Sequence, residues 1–128
     1  MTENQEQAAL FEWAAVASGR YPELRLLHAI ANGGKRDGRT AAVLQRTGVK
    51  PGVPDLCLPV ARGEWHGLYI EMKRQDGGQL SQSQREWIRR LYENGYAVAV
   101  AHGSNEAWDS LMAYLLQRMP ERGVQYAL

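Results

Sequence analysis

PGVPDLCLPVARGEWHGLYIEMK, residues 51–73, is the stretch of this sequence from which the fold can first be predicted. Two apolar runs, at residues 56–61 and 68–72, flank the turn-prone hexapeptide RGEWHG. Short apolar runs on either side of a glycine-containing turn are typical of a β-hairpin. We therefore expect two antiparallel strands here, with the rest of the chain as their scaffold.

Alternation along these strands brings three charged side chains together. Successive strand residues point to opposite faces of a sheet, so Glu71 and Lys73 share one face of the second strand. The same alternation on the first strand allows Asp55 to meet Glu71 across the pair. Two carboxylates and an ammonium group are therefore predicted to converge.

Two neighbouring carboxylates favour a bound cation, because they repel each other and one would otherwise take up a proton. Ligation by oxygen atoms suits the hard cations Mg²⁺ and Mn²⁺, which keep several waters and use few carboxylates. Lys73 could then orient the attacking water and offset negative charge on a phosphate. This combination predicts metal-assisted phosphodiester hydrolysis.

Several short motifs resemble those of a known nuclease family. GVPD at residues 52–55 and EMK at residues 71–73 resemble the signature of PD-(D/E)XK nucleases. HGLYIE at residues 66–71, followed by LSQSQ at residues 80–84, is similar to the VRR-NUC (virus-type replication-repair nuclease) family, especially its small stand-alone members from phages. The resemblance covers nearly the whole chain. It implies one domain, residues 1–128, with the restriction-endonuclease-like α/β fold, in which helices flank a mixed central sheet.

The resemblance also implies a set of active-site residues. The implied catalytic residues are the two carboxylates, the lysine and a helix-borne glutamine: Asp55, Glu71, Lys73 and Gln84. The glutamine would position Lys73 or water. The implied metal ligands are Asp55, Glu71, the backbone carbonyl of Met72 and a glutamate of the first helix, with Mg²⁺ or Mn²⁺ as the cofactor.

Two glutamates of the first predicted helix, Glu3 and Glu6, are candidates for that last ligand. The family carries its helix glutamate in an ExxxQ context, which Glu3 and Gln7 reproduce. Glu6 lies one turn nearer to the apolar stripe of the helix. Either acid could instead complement the helix dipole, because negative charge is favourable near a helix N-terminus. The spacing slightly favours Glu3, and both remain candidates.

A basic segment, residues 35–50, comes directly before GVPD and predicts contacts with DNA phosphates. The alternative is a solvated surface, the usual role of clustered charge. Asn32 matches a family asparagine beside the active face, although supplying turn geometry would explain it equally well. The predicted DNA-binding residues are this asparagine, cations of the basic segment and the arginine after Lys73: Asn32, Lys35, Arg36, Arg39, Lys50 and Arg74.

Composition narrows the class of protein. Fifteen Lys and Arg residues against 14 Asp and Glu residues leave a net charge of +1, which counts against a protein that only binds DNA. The lone cysteine, Cys57, excludes an internal disulfide and a cysteine-based zinc site. No apolar run reaches membrane-spanning length and no secretory leader is recognisable. We therefore expect a cytoplasmic protein of a bacterium or phage-infected host cell, without a membrane partner.

The order of predicted elements indicates a mixed α/β fold. In chain order they are a helix from a Thr2 cap to residues 18–20, a strand over 24–31, a short helix over 40–46, the hairpin, a helix from a Ser81 cap to about residue 94, a central buried strand over 96–101 and a helix over 105–118.

The resemblance implies a Mg²⁺- or Mn²⁺-dependent, structure-specific DNA endonuclease. Stand-alone VRR-NUC proteins resemble Holliday-junction resolvases in forming two-fold dimers, and symmetric cutting of a four-way junction needs two sites. We therefore expect a homodimer that acts on branched DNA. Nicking of single-stranded, flapped or duplex DNA during phage replication or packaging is an alternative within the same enzyme class. A DNA-binding module with a decayed active site and a small-molecule hydrolase are alternatives from other classes.

Overall fold

A computed structural model of the protein describes residues 1–31 and 38–119. In these residues, four strands form one mixed sheet with helices on both faces. The described elements are, in chain order, α1 (Glu3–Ala17), a 3₁₀ helix (Pro22–Leu26), β1 (His28–Ala29), α2 (Gly38–Arg46), β2 (Leu56–Leu58), β3 (Leu68–Lys73), α3 (Gln82–Glu93), β4 (Ala97–His102) and α4 (Ser104–Leu115).

The sheet has the strand order β1-β2-β3-β4. β1 pairs with β2 and β2 with β3 in the antiparallel sense, so the predicted hairpin is confirmed. β3 and β4 are parallel, and α3 makes the crossover that a parallel pair requires. The α/β class with a mixed sheet flanked by helices is therefore confirmed as well.

The two faces of the sheet differ in what covers them. On one face, apolar strand side chains pack with residues of α1 and α4; they include Leu56, Leu68, Ile70, Met72, Ala99 and Ala101, which meet Leu10 and Leu111. On the other face, Val98 packs with Ile88 and Leu91 of α3. Because Glu71 and Lys73 alternate with the first set along β3, their side chains belong to the α3 face.

Two helices, α1 and α3, begin at the caps that the sequence predicts, whereas α2 begins at Gly38 instead of residue 40. Thr2 caps α1 through a capping box with Gln5, and Ser81 caps α3 in the same way with Gln84. Both predicted caps are confirmed. No helix within residues 1–31 and 38–119 combines the length and the apolar character needed to cross a membrane.

The predicted strand over residues 24–31 is wrong for most of its length. A 3₁₀ helix, Pro22–Leu26, takes its place, and β1 is limited to His28–Ala29. Proline at the start of a helical turn is pre-organised for it. Leu24 and Leu27 are buried three residues apart, which is the repeat of a 3₁₀ helix rather than of a strand.

Three other predicted features need correction. β2 ends at Leu58 instead of residue 61, because Pro59 follows and has no N–H for the ladder. The sequence predicts a central β4, but this strand lies at one end of the described strand order, although helices bury both of its faces. α4 ends at Leu115 rather than at residue 118, and Gln117 has a left-handed backbone (φ +57°) that stops the helix.

Candidate active site

The register of the hairpin places Asp55 beside Glu71. Leu56 is opposite Ile70, so the residue before Leu56 meets the residue after Ile70. Oδ2 of Asp55 accepts a hydrogen bond of 2.7 Å from the backbone N–H of Met72. The predicted approach of the two carboxylates across the strand pair is therefore confirmed.

Glycine at position 52 lets the loop before Asp55 lie directly on the first turn of α3. Gly52 has φ +90°, and a Cβ there would come within 2.6 Å of the backbone carbonyl carbon of Ser83. Pro54, two residues further on, is fully buried. The loop is thus fixed against the same helix turn that carries Gln84, which connects the position of Asp55 to that of α3.

Replacing Gly52 with alanine is expected to lower the free energy of unfolding by about 3 kcal/mol, from backbone strain and overpacking together. Gly48→Ala is the matched control, because Gly48 also has a positive φ (+103°), but a Cβ there would meet no atom of the described residues within 4 Å. Strain alone should cost the control about 1–2 kcal/mol. Urea denaturation measures both; equal losses in the two variants would show that the contact with Ser83 is unimportant.

Glu71 is buried in the middle of the site, with 3% of its surface exposed. Its Oε2 lies 3.8 Å from Nζ of Lys73 and accepts a hydrogen bond of 3.1 Å from Nε2 of Gln84. Burial, together with the charge of Asp55 and a hydrogen bond to it, raises the pKa of Glu71 to about 9, while Lys73 opposes the shift. Without a further cation, Glu71 is therefore protonated at neutral pH.

Gln84 links the start of α3 to both charged partners. Its Oε1 accepts from the backbone N–H of Ser81 at 2.9 Å and from Nζ of Lys73 at 3.1 Å. Its Nε2 donates to Glu71, as described above. The glutamine that caps the helix thus also contacts the lysine and one carboxylate, and the structure brings together all four predicted catalytic residues.

The two candidate glutamates of α1 lie in different environments. Glu6 is 1% exposed, and its carboxylate accepts hydrogen bonds from the N–H of Ser104 and from Nε2 of Gln75. The Ser104 bond is the main cause that lowers the pKa of Glu6. Glu3 is exposed, and its charge contributes to raising the pKa of Glu71. Glu6 is therefore already hydrogen-bonded inside the protein, whereas Glu3 is exposed.

The donor set fits a hard divalent cation. Asp55 and Glu71 supply carboxylate oxygens, and a bound cation would offset the burial and the charge of Asp55 that keep Glu71 protonated. The N–H of Met72 faces Asp55, and because the N–H and C=O of one strand residue face the same neighbour, its carbonyl lies on that side as well. Over the part of the chain that the structure describes, no three His, Cys, Asp or Glu side chains form a ready-made metal cluster. The carboxylate pair is the core of the candidate site.

The predicted DNA-binding residues are only partly described. Lys50 is exposed, and Arg74 is exposed on the loop that follows Lys73, with its Nε 3.9 Å from Oδ1 of Asp76. Arg74 also lines a cleft of about 530 Å³ beside the start of α1. Arg39 belongs to α2. Three further residues, Asn32, Lys35 and Arg36, lie outside the described residues.

Two residues around the site were not predicted from the sequence: Gln75 and Ser104, both donors to Glu6. For Glu6 a signal existed, because it falls on the stripe of α1 with Leu10 and Ala14, four residues apart, and all three are buried. An acid on a buried stripe needs internal hydrogen-bond donors. Nothing in the sequence indicates that Gln75 and Ser104 provide them.

The chain is similar to known proteins over most of its length. The family model of the VRR-NUC domain matches residues 1–105. A solved structure described as a VRR_NUC domain protein is 30% identical in sequence and has a TM-score of 0.76, with the match covering 99% of this chain and 98% of that one. No curated protein sequence matches the chain.

Proposed function

Because this chain belongs to the VRR-NUC family, whose nucleases are of the PD-(D/E)XK type and act on DNA, we propose that it is a divalent-metal-dependent endodeoxyribonuclease. The observation that carries the proposal is the contact of Asp55, Glu71, Lys73 and Gln84 in one partly buried cluster. A decayed active site would not be expected to keep all four side chains in contact.

The proposed cofactor is Mg²⁺ or Mn²⁺, held by Asp55, Glu71 and the carbonyl of Met72, with Glu3 as the further candidate. Oxygen donors of this kind suit hard cations. When bound, the cation would polarise a phosphoryl oxygen and lower the pKa of a bound water. Charge compensation supports the assignment, since the buried pair of Asp55 and Glu71 is unfavourable when both are ionised.

Lys73 is proposed to act on the water or the phosphate. Gln84 fixes its Nζ with a hydrogen bond of 3.1 Å, and the side chain is only 10% exposed, so the ammonium group has a defined position. From there it can hold the attacking water and offset the charge that develops on the phosphate oxygens. Hydrolysis forms one bond from the water oxygen to phosphorus and breaks one bond from phosphorus to a sugar oxygen, so one strand is cut.

The proposed substrate is branched DNA and the proposed form is a homodimer. One such site cuts one strand, and symmetric incision of a four-way junction requires two sites related by a two-fold axis. The support is the membership of the VRR-NUC family. Exposed Lys50 and Arg74 are proposed to contact phosphates.

Cleavage of a panel of DNA substrates tests the proposed function. Purified protein with Mg²⁺ or Mn²⁺ is expected to make paired, symmetric cuts in a synthetic four-way junction. Flapped, duplex and single-stranded DNA serve as comparisons, and a Glu71→Ala protein is the inactive control. Cutting of the comparison substrates alone would refute junction resolution but keep the nuclease. Binding without cutting of any substrate would favour the decayed module instead.

Asp55→Asn is expected to weaken Mn²⁺ binding at least about tenfold, because the variant removes the charge of a ligand. The asparagine Oδ1 can still accept the hydrogen bond from Met72, so the hairpin should keep its geometry. Isothermal titration calorimetry with Mn²⁺ measures the affinity. The control is Asp109→Asn, which removes an exposed charge on α4. Wild-type affinity in Asp55→Asn would remove Asp55 from the ligand set.

A further inference from the structure

Glu6 joins three separate segments at the end of the sheet. Its side chain projects from α1, and Oε1 accepts a hydrogen bond of 2.8 Å from Nε2 of Gln75, in the loop after β3. Its Oε2 accepts from the backbone N–H of Ser104, the first residue of α4. Both carboxylate oxygens therefore already have donors inside the protein, and the side chain is 1% exposed.

The contact with α4 replaces a missing cap. Gly103 precedes the helix and has no side chain to accept a hydrogen bond from the first turn. The carboxylate of Glu6 takes that place, where the helix dipole favours a negative charge. A Cβ at Gly103, which has φ +96°, would come within 2.6 Å of Cγ of Gln75 and 3.2 Å of Oε2 of Glu6. The glycine thus leaves the room that the glutamate occupies.

The same junction is continuous with the candidate active site. The N–H of Gly103 donates to the backbone carbonyl of Lys73 at 3.0 Å, and Gln75 follows Lys73 by two residues. α1 packs against β3, and Glu3 lies one helical turn before Glu6. The hydrogen bonds of Glu6 tie α1 to the loop after β3 and to the start of α4, and Glu3 belongs to the same helix.

We propose that Glu6 is a positioning residue, not a metal ligand: its hydrogen bonds to Gln75 and Ser104 hold α1 so that Glu3 reaches the cation of the Asp55 and Glu71 site. This inference rests on the proposed metal-dependent function. It divides the two glutamates of α1 between two roles, with Glu3 acting on the cation and Glu6 on the fold around it.

Titration with Mn²⁺ alone, with thermal unfolding in EDTA, tests the proposal on the full chain. Glu6→Ala should lower Tm by about 5 °C or more and weaken Mn²⁺ binding about tenfold. Glu6→Gln should restore Mn²⁺ affinity to within about threefold of wild type, because its amide oxygen can still accept from Ser104 and its amide nitrogen can donate to a reoriented Gln75. Glu3→Gln should weaken Mn²⁺ binding and leave Tm within about 2 °C of wild type.

The double variant separates an indirect role from a direct one. If Glu6 acts through Glu3, Glu6→Ala should weaken Mn²⁺ binding no further in the Glu3→Gln background. Glu12→Gln, an exposed acid on α1, is the control and should change neither quantity. If Glu6→Ala fails to fold, Gln75→Ala removes one of the two donors and should weaken Mn²⁺ binding about threefold.

Three results would overturn the proposal. A loss of Mn²⁺ affinity in Glu6→Gln as large as that in Glu6→Ala would show that the negative charge of Glu6 is itself required, as it is for a metal ligand. A lower Tm with unchanged Mn²⁺ affinity would leave Glu6 a purely structural role. Wild-type protein that binds no Mn²⁺ would refute the proposed metal site and this inference with it. That outcome differs from the first two because it is observed in the wild type and not only in a variant.

Discussion

Replacing Lys73 with methionine is expected to lower kcat for DNA cleavage at least about 100-fold, the loss typical of removing a group that stabilises developing charge. Methionine fills a similar volume, which matters because Lys73 is 8% exposed. Mn²⁺ affinity should stay equal or increase, since the variant removes a positive charge near Glu71. Loss of rate with metal still bound would assign Lys73 to the chemical step.

Arg89→Met is the matched control for this variant. Arg89 is an exposed cation on α3 that pairs with Glu86 and Glu93, so its removal changes the net charge by the same amount. Single-turnover cleavage kinetics at saturating metal measure both proteins, and Arg89→Met should keep the wild-type rate within about threefold. A Lys73→Met protein that also cuts within about threefold of the wild-type rate would show that the lysine is not needed for the reaction.

Replacing Glu71 with glutamine is expected to stabilise the metal-free protein while abolishing metal-dependent cleavage. The amide has the shape of the protonated acid: it can donate to Asp55 and accept from Gln84, so the buried contacts remain. The free energy of unfolding in EDTA at pH 8 should rise by about 1–3 kcal/mol. Excess Mn²⁺ should stabilise the wild type but not the variant, because only the wild type binds it tightly.

The increase in the free energy of unfolding that Glu71→Gln produces should depend on pH. The pKa of Glu71 is about 9 in the folded protein, against an ordinary value of 4.5. The folded state therefore binds the proton more tightly, and this contribution to stability is complete below pH 4.5 and is lost as pH rises towards 9. In that window the free energy of unfolding of the wild type should fall, relative to that of the variant, by at most about 1.4 kcal/mol per pH unit.

Urea denaturation in EDTA at several pH values between 5 and 9 measures this difference, with buffers matched in ionic strength. Subtracting the free energy of unfolding of the wild type from that of the variant removes the contribution of the titratable groups that both proteins share. A constant difference across the range would show that Glu71 is already ionised at neutral pH, and a destabilised variant would show that the carboxylate is well compensated without metal.

The hairpin and its charged face could be predicted from the sequence because the two-residue repeat is strict. Glu71 and Lys73 alternate with Ile70 and Met72, and a shift by one residue would bury both charges in the apolar core. Register then follows from the apolar pattern, and the meeting of Asp55 with Glu71 follows from register. This part of the site needed no knowledge of a family.

The contribution of α3 to the site could be predicted only through the family resemblance. Nothing in its apolar stripe distinguishes Gln84 from a surface glutamine, since a capping box alone accounts for its position. Its second contact, with Lys73, depends on how α3 lies on the sheet. That arrangement is set by tertiary packing around residues such as Gly52 and Ser83, which local sequence rules do not describe.

The errors have physical causes as well. Residues 24–31 are apolar enough for a strand, but Pro22 starts a 3₁₀ turn, and the spacing of Leu24 and Leu27 fits that turn. For Glu6, the sequence indicated an acid near the apolar stripe but not the donors that allow its burial, because Gln75 and Ser104 come from distant parts of the chain. Contacts between distant segments are what a local pattern does not contain.

The most direct test of the proposed active site is the metal dependence of DNA cleavage by wild-type and Glu71→Gln protein, both first treated with EDTA. The substrate is the junction, flap, duplex and single-stranded panel, and circular dichroism verifies that both proteins are folded. We predict no cutting in EDTA, cutting by wild type after Mg²⁺ or Mn²⁺ is added, and none by the folded variant. Cutting in EDTA, or equal cutting by Glu71→Gln, would contradict a metal-dependent nuclease site built on Asp55 and Glu71.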